Sequence, residues 1–120
     1  MILDDDSDIV TVIKLGLQKH RSYDLYAFTH PALALEHFKV NASKYHLVIS
    51  DIRMPQMNGF EFIKKVKEIK PEVKVFFMTA FENDIEFRRF LPSIRIDEFI
   101  QKPVSLERLT TLVRKHTTIN

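Results

Sequence analysis

Leu47-Val48-Ile49-Ser50-Asp51-Ile52-Arg53-Met54-Pro55-Gln56-Met57-Asn58-Gly59 is the stretch whose reading decides the fold of this chain. It begins as a nearly unbroken apolar run of strand length, ends that run on an acid, and turns through Pro55 into a helical pattern after Asn58. Continuous apolar character marks a parallel strand covered on both faces. The helical pattern that follows points Phe62, Ile63, Val66 and Ile69 inward and leaves Lys64, Lys65, Lys67 and Glu68 to water. The stretch therefore reads as a strand, an acidic strand end, a turn and an amphipathic helix.

The same unit recurs on both sides of it. Short apolar runs fall at residues 1–3, 24–28, 73–78 and 98–100, and helical stretches separate them. Residues 7 to about 20 carry Ile9, Val10, Ile13 and Leu17 on one side, and the last stretch aligns Leu106, Leu109, Leu112 and Val113. Thr29 ahead of Pro31, Asn58 three residues before Glu61, and Ser105 ahead of Glu107 read as helix N-caps. Pro71 stops the third helix and Pro92 is expected to end the fourth. Strands alternating with helices in this way predict a parallel α/β sheet with right-handed crossovers. The whole chain, residues 1–120, is expected to form one doubly wound domain. Only three residues precede the first acids, fewer than the roughly 5–6 of an average strand, which fits either a short first strand or a chain trimmed from a longer protein.

Composition narrows the function classes. A chain of 120 residues suits one core, and its 45% hydrophobic and 28% charged content is ordinary for a globular protein. A net charge of +2 gives no reason to expect nucleic-acid or membrane binding. The lack of cysteine excludes disulfides and thiolate metal sites and agrees with a cytoplasmic location. No apolar run approaches the roughly 20 residues that a membrane span requires. Ten Phe and no Trp predict a Phe-rich core.

In open α/β sheets, ligands bind beyond the carboxyl ends of the strands. The first strand delivers Asp4 and Asp5 to that edge, the third Asp51, the fourth Thr79 and the fifth Lys102. Carboxylates in such a cluster repel unless a cation sits among them, and oxygen ligands with retained waters suit Mg²⁺. With the repulsion offset, one carboxylate can attack a phosphoryl group. An ammonium and a hydroxyl can then hold the phosphoryl oxygens. Taken singly, each of these residues has a plain structural reading as a cap, a turn or a strand end; the shared edge is what gives the set its meaning.

The motifs Leu3-Asp4-Asp5-Asp6, Asp51-Ile52-Arg53-Met54-Pro55 through Gly59, Met78-Thr79-Ala80 and Lys102-Pro103 resemble the receiver domains of two-component response regulators, over essentially the whole chain. The resemblance implies a flavodoxin-like (βα)5 fold with sheet order 2-1-3-4-5. It implies that Asp51 accepts a phosphoryl group from a sensor histidine kinase or phosphotransfer protein. Asp4, Asp5, Asp51 and the backbone carbonyl of Arg53 would bind Mg²⁺, and Lys102 and Thr79 would contact the phosphoryl group. Phe99 matches the switch aromatic that turns inward with the Thr79 hydroxyl. Partners implied are the kinase and a downstream target or fused output domain, with a phosphorylation-dependent dimer as a further arrangement.

The sequence departs from the family pattern at several places. Asp5-Asp6 offers a second register for the acidic pair, Phe99 lacks the hydroxyl of the commoner Tyr, and the segment before the fifth strand lacks the usual Gly-Ala. Arg53 and Phe81, two residues beyond Asp51 and Thr79, are expected to shield an aspartyl phosphate from water. Arg88, Arg89, Arg95, Arg108, Arg114 and Lys115 make the C-terminal part basic, either as solvated helix faces or as a docking surface for an acidic partner.

Three other functions compete. An aspartyl-nucleophile phosphatase typically carries a second Asp two residues after the nucleophile, where this chain has Arg53. A flavin-binding domain needs a phosphate loop after the first strand, where Asp4-Asp5-Asp6 would repel phosphate. An unphosphorylated protein-interaction module on the same fold is the remaining alternative. Turnover catalysis is therefore not expected.

Overall fold

In a computed structural model that describes residues 1–19, 23–80 and 93–117, five strands form one parallel sheet. They are β1 (Ile2–Leu3), β2 (Ala27–Phe28), β3 (Leu47–Asp51), β4 (Lys74–Thr79) and β5 (Glu98–Gln101), in the spatial order β2-β1-β3-β4-β5. The helices are α1 (Ser7–Gln18), α2 (Pro31–Asn41), α3 (Gly59–Ile69) and α4 (Leu106–Thr117), with a 3-10 turn at Ala42–Lys44. The flavodoxin-like order expected from the motifs is the order found.

Alternate strand residues divide the core into two layers, as period-2 geometry requires. Leu3, Val48, Val75 and Phe77 pack with Ala34, Leu35 and Phe38 of α2 and with Phe60, Phe62, Ile63 and Val66 of α3. Ile2, Leu47, Ile49, Phe76 and Met78 pack on the other face with Val10, Ile13 and Leu17 of α1 and Leu109 and Val113 of α4. Phe-rich packing is present on the α3 side, where Phe60 and Phe77 meet edge to face at 5.2 Å between centroids.

Several boundaries differ from the sequence reading. The second strand, expected over 24–28, pairs only through Ala27–Phe28, because its neighbour β1 offers just Ile2 and Leu3. Thr29 is not the cap of α2. Pro31 occupies the first helical turn and forces extended backbone on His30, which stands at the N-cap while Thr29 Oγ1 lies 3.0 Å from His30 Nδ1. Ile69 does not face the core; it is 38% exposed, because α3 ends there and the chain turns away toward Pro71. Lys67, assigned to water, instead reaches forward with Nζ to the carbonyls of Pro71 and Val73. Asn58 does cap α3, its Oδ1 accepting from the Glu61 N–H at 2.9 Å, and Ser105 Oγ accepts from the Arg108 N–H at 3.2 Å. The expected fourth helix with its Pro92 stop, Phe81, Arg88 and Arg89 all lie outside the described residues.

Candidate functional site

Strand register brings the site together. Leu3 pairs with Ser50, so Asp4 and Asp51 emerge side by side one step further along β1 and β3. Asp51 pairs with Met78 and Thr79 with Gln101, which puts Thr79 and Lys102 at the same carboxyl edge. Asp4 is fully buried, Asp51 is 6% and Thr79 7% exposed, and Asp5 is open to solvent. One oxygen from each of Asp4, Asp5 and Asp51 lies within 4.8 Å of the other two, an arrangement that can hold a metal ion. Asp6 has a separate, structural role, because its Oδ1 accepts from the Asp8 N–H at 2.9 Å and caps α1.

The carboxylates divide their oxygens in the same way. Asp4 Oδ1 accepts from the Asp6 N–H and Asp51 Oδ1 from the Ile52 N–H, each at 2.9 Å. The Oδ2 atoms face Lys102, whose Nζ stands 2.8 Å from Asp4 and 3.3 Å from Asp51. A main-chain bond from the Lys102 N–H to the Thr79 carbonyl, 2.7 Å long, fixes where the lysine leaves β5. Lys102–Pro103 is a cis peptide.

One ammonium faces two buried carboxylates, so negative charge is in excess. Burial, with Asp4 adding repulsion, pushes Asp51 up to about 6. Burial also raises Asp4, against the hydrogen bond and charge of Lys102. Burial pulls Lys102 down, but Asp4 and Asp51 outweigh it and hold the ammonium above its ordinary range. A hard divalent cation with oxygen ligands is what this charge balance fits.

The raised Asp51 makes the stability of the metal-free protein depend on pH. Folded Asp51 binds its proton more tightly than the unfolded chain does, so stability is lost as pH rises from about 4 through about 6. Asn cannot ionise, and Asp51→Asn is expected to add roughly 2 kcal/mol near neutral pH. The gain should vanish below about pH 4. Urea titrations at two pH values read it directly.

Phe99 of β5 is half-buried beside Phe77, centroids 6.2 Å apart, on the α3 side of the sheet. Arg53 lies in the β3–α3 loop with its side chain exposed. In that loop Gln56 adopts φ 73°, the left-handed region unusual for a side chain other than Gly, Asn or Asp. Gly59 is more than a turn residue: a Cβ there would stand 2.2 Å from the Asp51 carbonyl oxygen. Ser50, which the sequence reading passed over, is fully buried with its Oγ donating to that same carbonyl at 2.8 Å. The only hint in the sequence was a single hydroxyl inside an apolar run.

The sequence model of the response regulator receiver domain family matches residues 1–114 of this chain. The chain belongs to that family. The receiver domain is 28% identical over 109 residues to the response regulator SaeR of Staphylococcus epidermidis, covering 91% of this chain and 45% of that protein. It is 28% identical over 115 residues to the sensor kinase CckA of Brucella abortus, covering 96% of this chain but 12% of that one. The chain thus spans less than half the length of these relatives. In structure it resembles the Vibrio cholerae chemotaxis protein CheY4, with a TM-score of 0.82 at 23% identity, covering 96% of this chain and 94% of the other. No helix among the described residues is long and apolar enough to cross a membrane.

Proposed function

We propose that this receiver domain takes a phosphoryl group onto Asp51 from the phosphohistidine of a sensor kinase or phosphotransfer protein, and that the modified domain then changes its binding to a downstream partner. The observation that carries this reading is the joint placement of Asp4, Asp5 and Asp51 with the Lys102 ammonium at one sheet edge. Backbone holds Asp51 Oδ1 through the Ile52 N–H, and Oδ2 faces the lysine, which supports Oδ2 as the attacking atom. Attack forms the Oδ2–P bond as the P–N bond of the donor breaks. The electron pair leaves with the imidazole nitrogen: a ring protonated at its other nitrogen departs as neutral imidazole, and an unprotonated ring takes up one proton from solvent to become neutral.

Lys102 balances charge on the transferring phosphoryl oxygens, and the Thr79 hydroxyl donates to one of them. Asp4, Asp5, Asp51 and the Arg53 carbonyl are the protein groups that would hold Mg²⁺. The ion, when bound, offsets carboxylate repulsion and polarises the phosphoryl group. Phe99, beside Phe77, is the aromatic that would move with Thr79. The domain does not turn over a substrate; it is modified and later loses the phosphate. Its output lies with a separate target or a fused domain; the relatives it matches extend well beyond the matched region.

Incubation with a small phosphodonor and Mg²⁺, followed by intact mass, tests the reading. Wild type should gain about 80 Da, one phosphoryl group, and Asp51→Asn should gain nothing. No gain in wild type would leave an unphosphorylated interaction module on this fold as the better description.

A further inference from the structure

Ser50 occupies a position where an apolar residue would serve packing equally well. It alternates with Val48 on the α3 face of β3, pairs with Leu3 on one side and Phe77 on the other, and is 0% exposed. A buried hydroxyl is costly unless it is hydrogen-bonded, and Ser50 Oγ donates at 2.8 Å to the carbonyl of Asp51. That carbonyl belongs to the Asp51–Ile52 peptide group. The N–H of the same peptide donates at 2.9 Å to Asp51 Oδ1. Gly59 closes the other side, since its missing Cβ would sit 2.2 Å from the same carbonyl oxygen.

One rigid peptide plane therefore carries both contacts. Its oxygen is held by Ser50 against Gly59, and its nitrogen orients the carboxylate. Turning that plane would swing the Ile52 N–H away from Oδ1 and free the carboxylate to rotate about its side-chain bonds. With the plane held, Oδ2 keeps its place before Lys102, 3.3 Å away.

We infer that Ser50 is a positioning residue for the Asp51 nucleophile, acting through the Asp51–Ile52 peptide rather than by touching the phosphoryl group. This role rests on the phosphoacceptor reading of Asp51. Ser50→Ala should slow phosphorylation by a small phosphodonor about 10-fold at saturating Mg²⁺, the scale expected of a misoriented reactant. Ser50→Thr, which keeps the hydroxyl, should restore most of that rate.

The Ile52 amide signal in the unphosphorylated protein gives a second readout. In Ser50→Ala it should shift and exchange faster with solvent, while neighbouring β3 amides stay protected; in Ser50→Thr it should remain near its wild-type value. Wild-type rate and an unchanged Ile52 amide in Ser50→Ala would overturn the inference. So would equal losses in the Ala and Thr variants, which would make Ser50 a packing residue. If wild type itself takes no phosphate, the phosphoacceptor reading fails, and the Ile52 amide still decides whether Ser50 holds the peptide.

Discussion

Lys102→Met is expected to cost about 3 kcal/mol of stability near pH 7.5 and to slow phosphoryl uptake about 100-fold. The stability loss comes from the group left behind. Asp4 is fully buried, and its Oδ2 has the Lys102 ammonium at 2.8 Å. Methionine fills similar volume without charge, so Asp4 and Asp51 would face each other with no cation between them. Each would hold its proton still more tightly than it does already, since burial raises both. The deficit should therefore shrink as pH falls toward 5, where protonation removes the repulsion. Urea midpoints at the two pH values measure this. A Lys102→Met protein as stable as wild type at both would mean that the ammonium does not hold the carboxylates. The rate loss follows from the proposed phosphoacceptor role of Asp51 and has a separate origin, the missing charge opposite the phosphoryl oxygens; the mass assay follows it independently.

Gly59→Ala is the second large effect, expected to cost about 3 kcal/mol and to disturb Asp51, the proposed phosphoacceptor. The added Cβ would stand 2.2 Å from the Asp51 carbonyl oxygen, 2.9 Å from Ile52 Cα and 3.1 Å from the Asp51 carbonyl carbon. All three are backbone atoms, so no side-chain rotation relieves the clash. Separating them means lifting the first turn of α3 from β3, against the 2.7 Å bond from the Gly59 N–H to the Ile52 carbonyl. Phosphoryl uptake should fall along with stability, because the displaced carbonyl belongs to the peptide that orients Asp51.

Gly16→Ala is the matching control. There the three atoms nearest the added Cβ are all Leu106 side-chain carbons, the first two at 2.9 and 3.1 Å, and that side chain can turn aside. Its effect should stay within about 1 kcal/mol of wild type, since Ala also favours the helix interior. If Gly59→Ala proved as stable as Gly16→Ala, the close approach at Asp51 would carry no cost.

Much of the architecture was legible because the sequence repeats its periodicities cleanly. The runs at 47–50 and 73–78 became β3 and β4 with shifts of one residue, since continuous apolar strands need both faces covered. Asn58 was legible as a cap because an amide side chain placed before a helix has a local partner, the Glu61 N–H. Thr29 misled because the proline after it, a stronger local constraint, moved the cap to His30. Ile69 misled because helical periodicity says which way a residue points, not where the core stops.

The acids, Thr79 and Lys102 could be chosen from the sequence, because each follows a strand-like run and strand ends fall at one edge of a parallel sheet. Asp4 against Asp6 could not be resolved there; three successive acids look alike until folding buries the first and engages the third at a helix start. Nor could the sequence say that Lys102 binds Asp4 more closely than Asp51, since that distance depends on strands that bring together residues 98 apart in the chain. The contacts of Gly59, though it closes a recognised motif, and of Ser50 were opaque for a different reason. Their meaning lies in the Asp51 carbonyl between them, a backbone oxygen that no residue letter records. Local chemistry selects the residues and the strand ends that carry them, while strand register and close backbone contact decide which atoms meet.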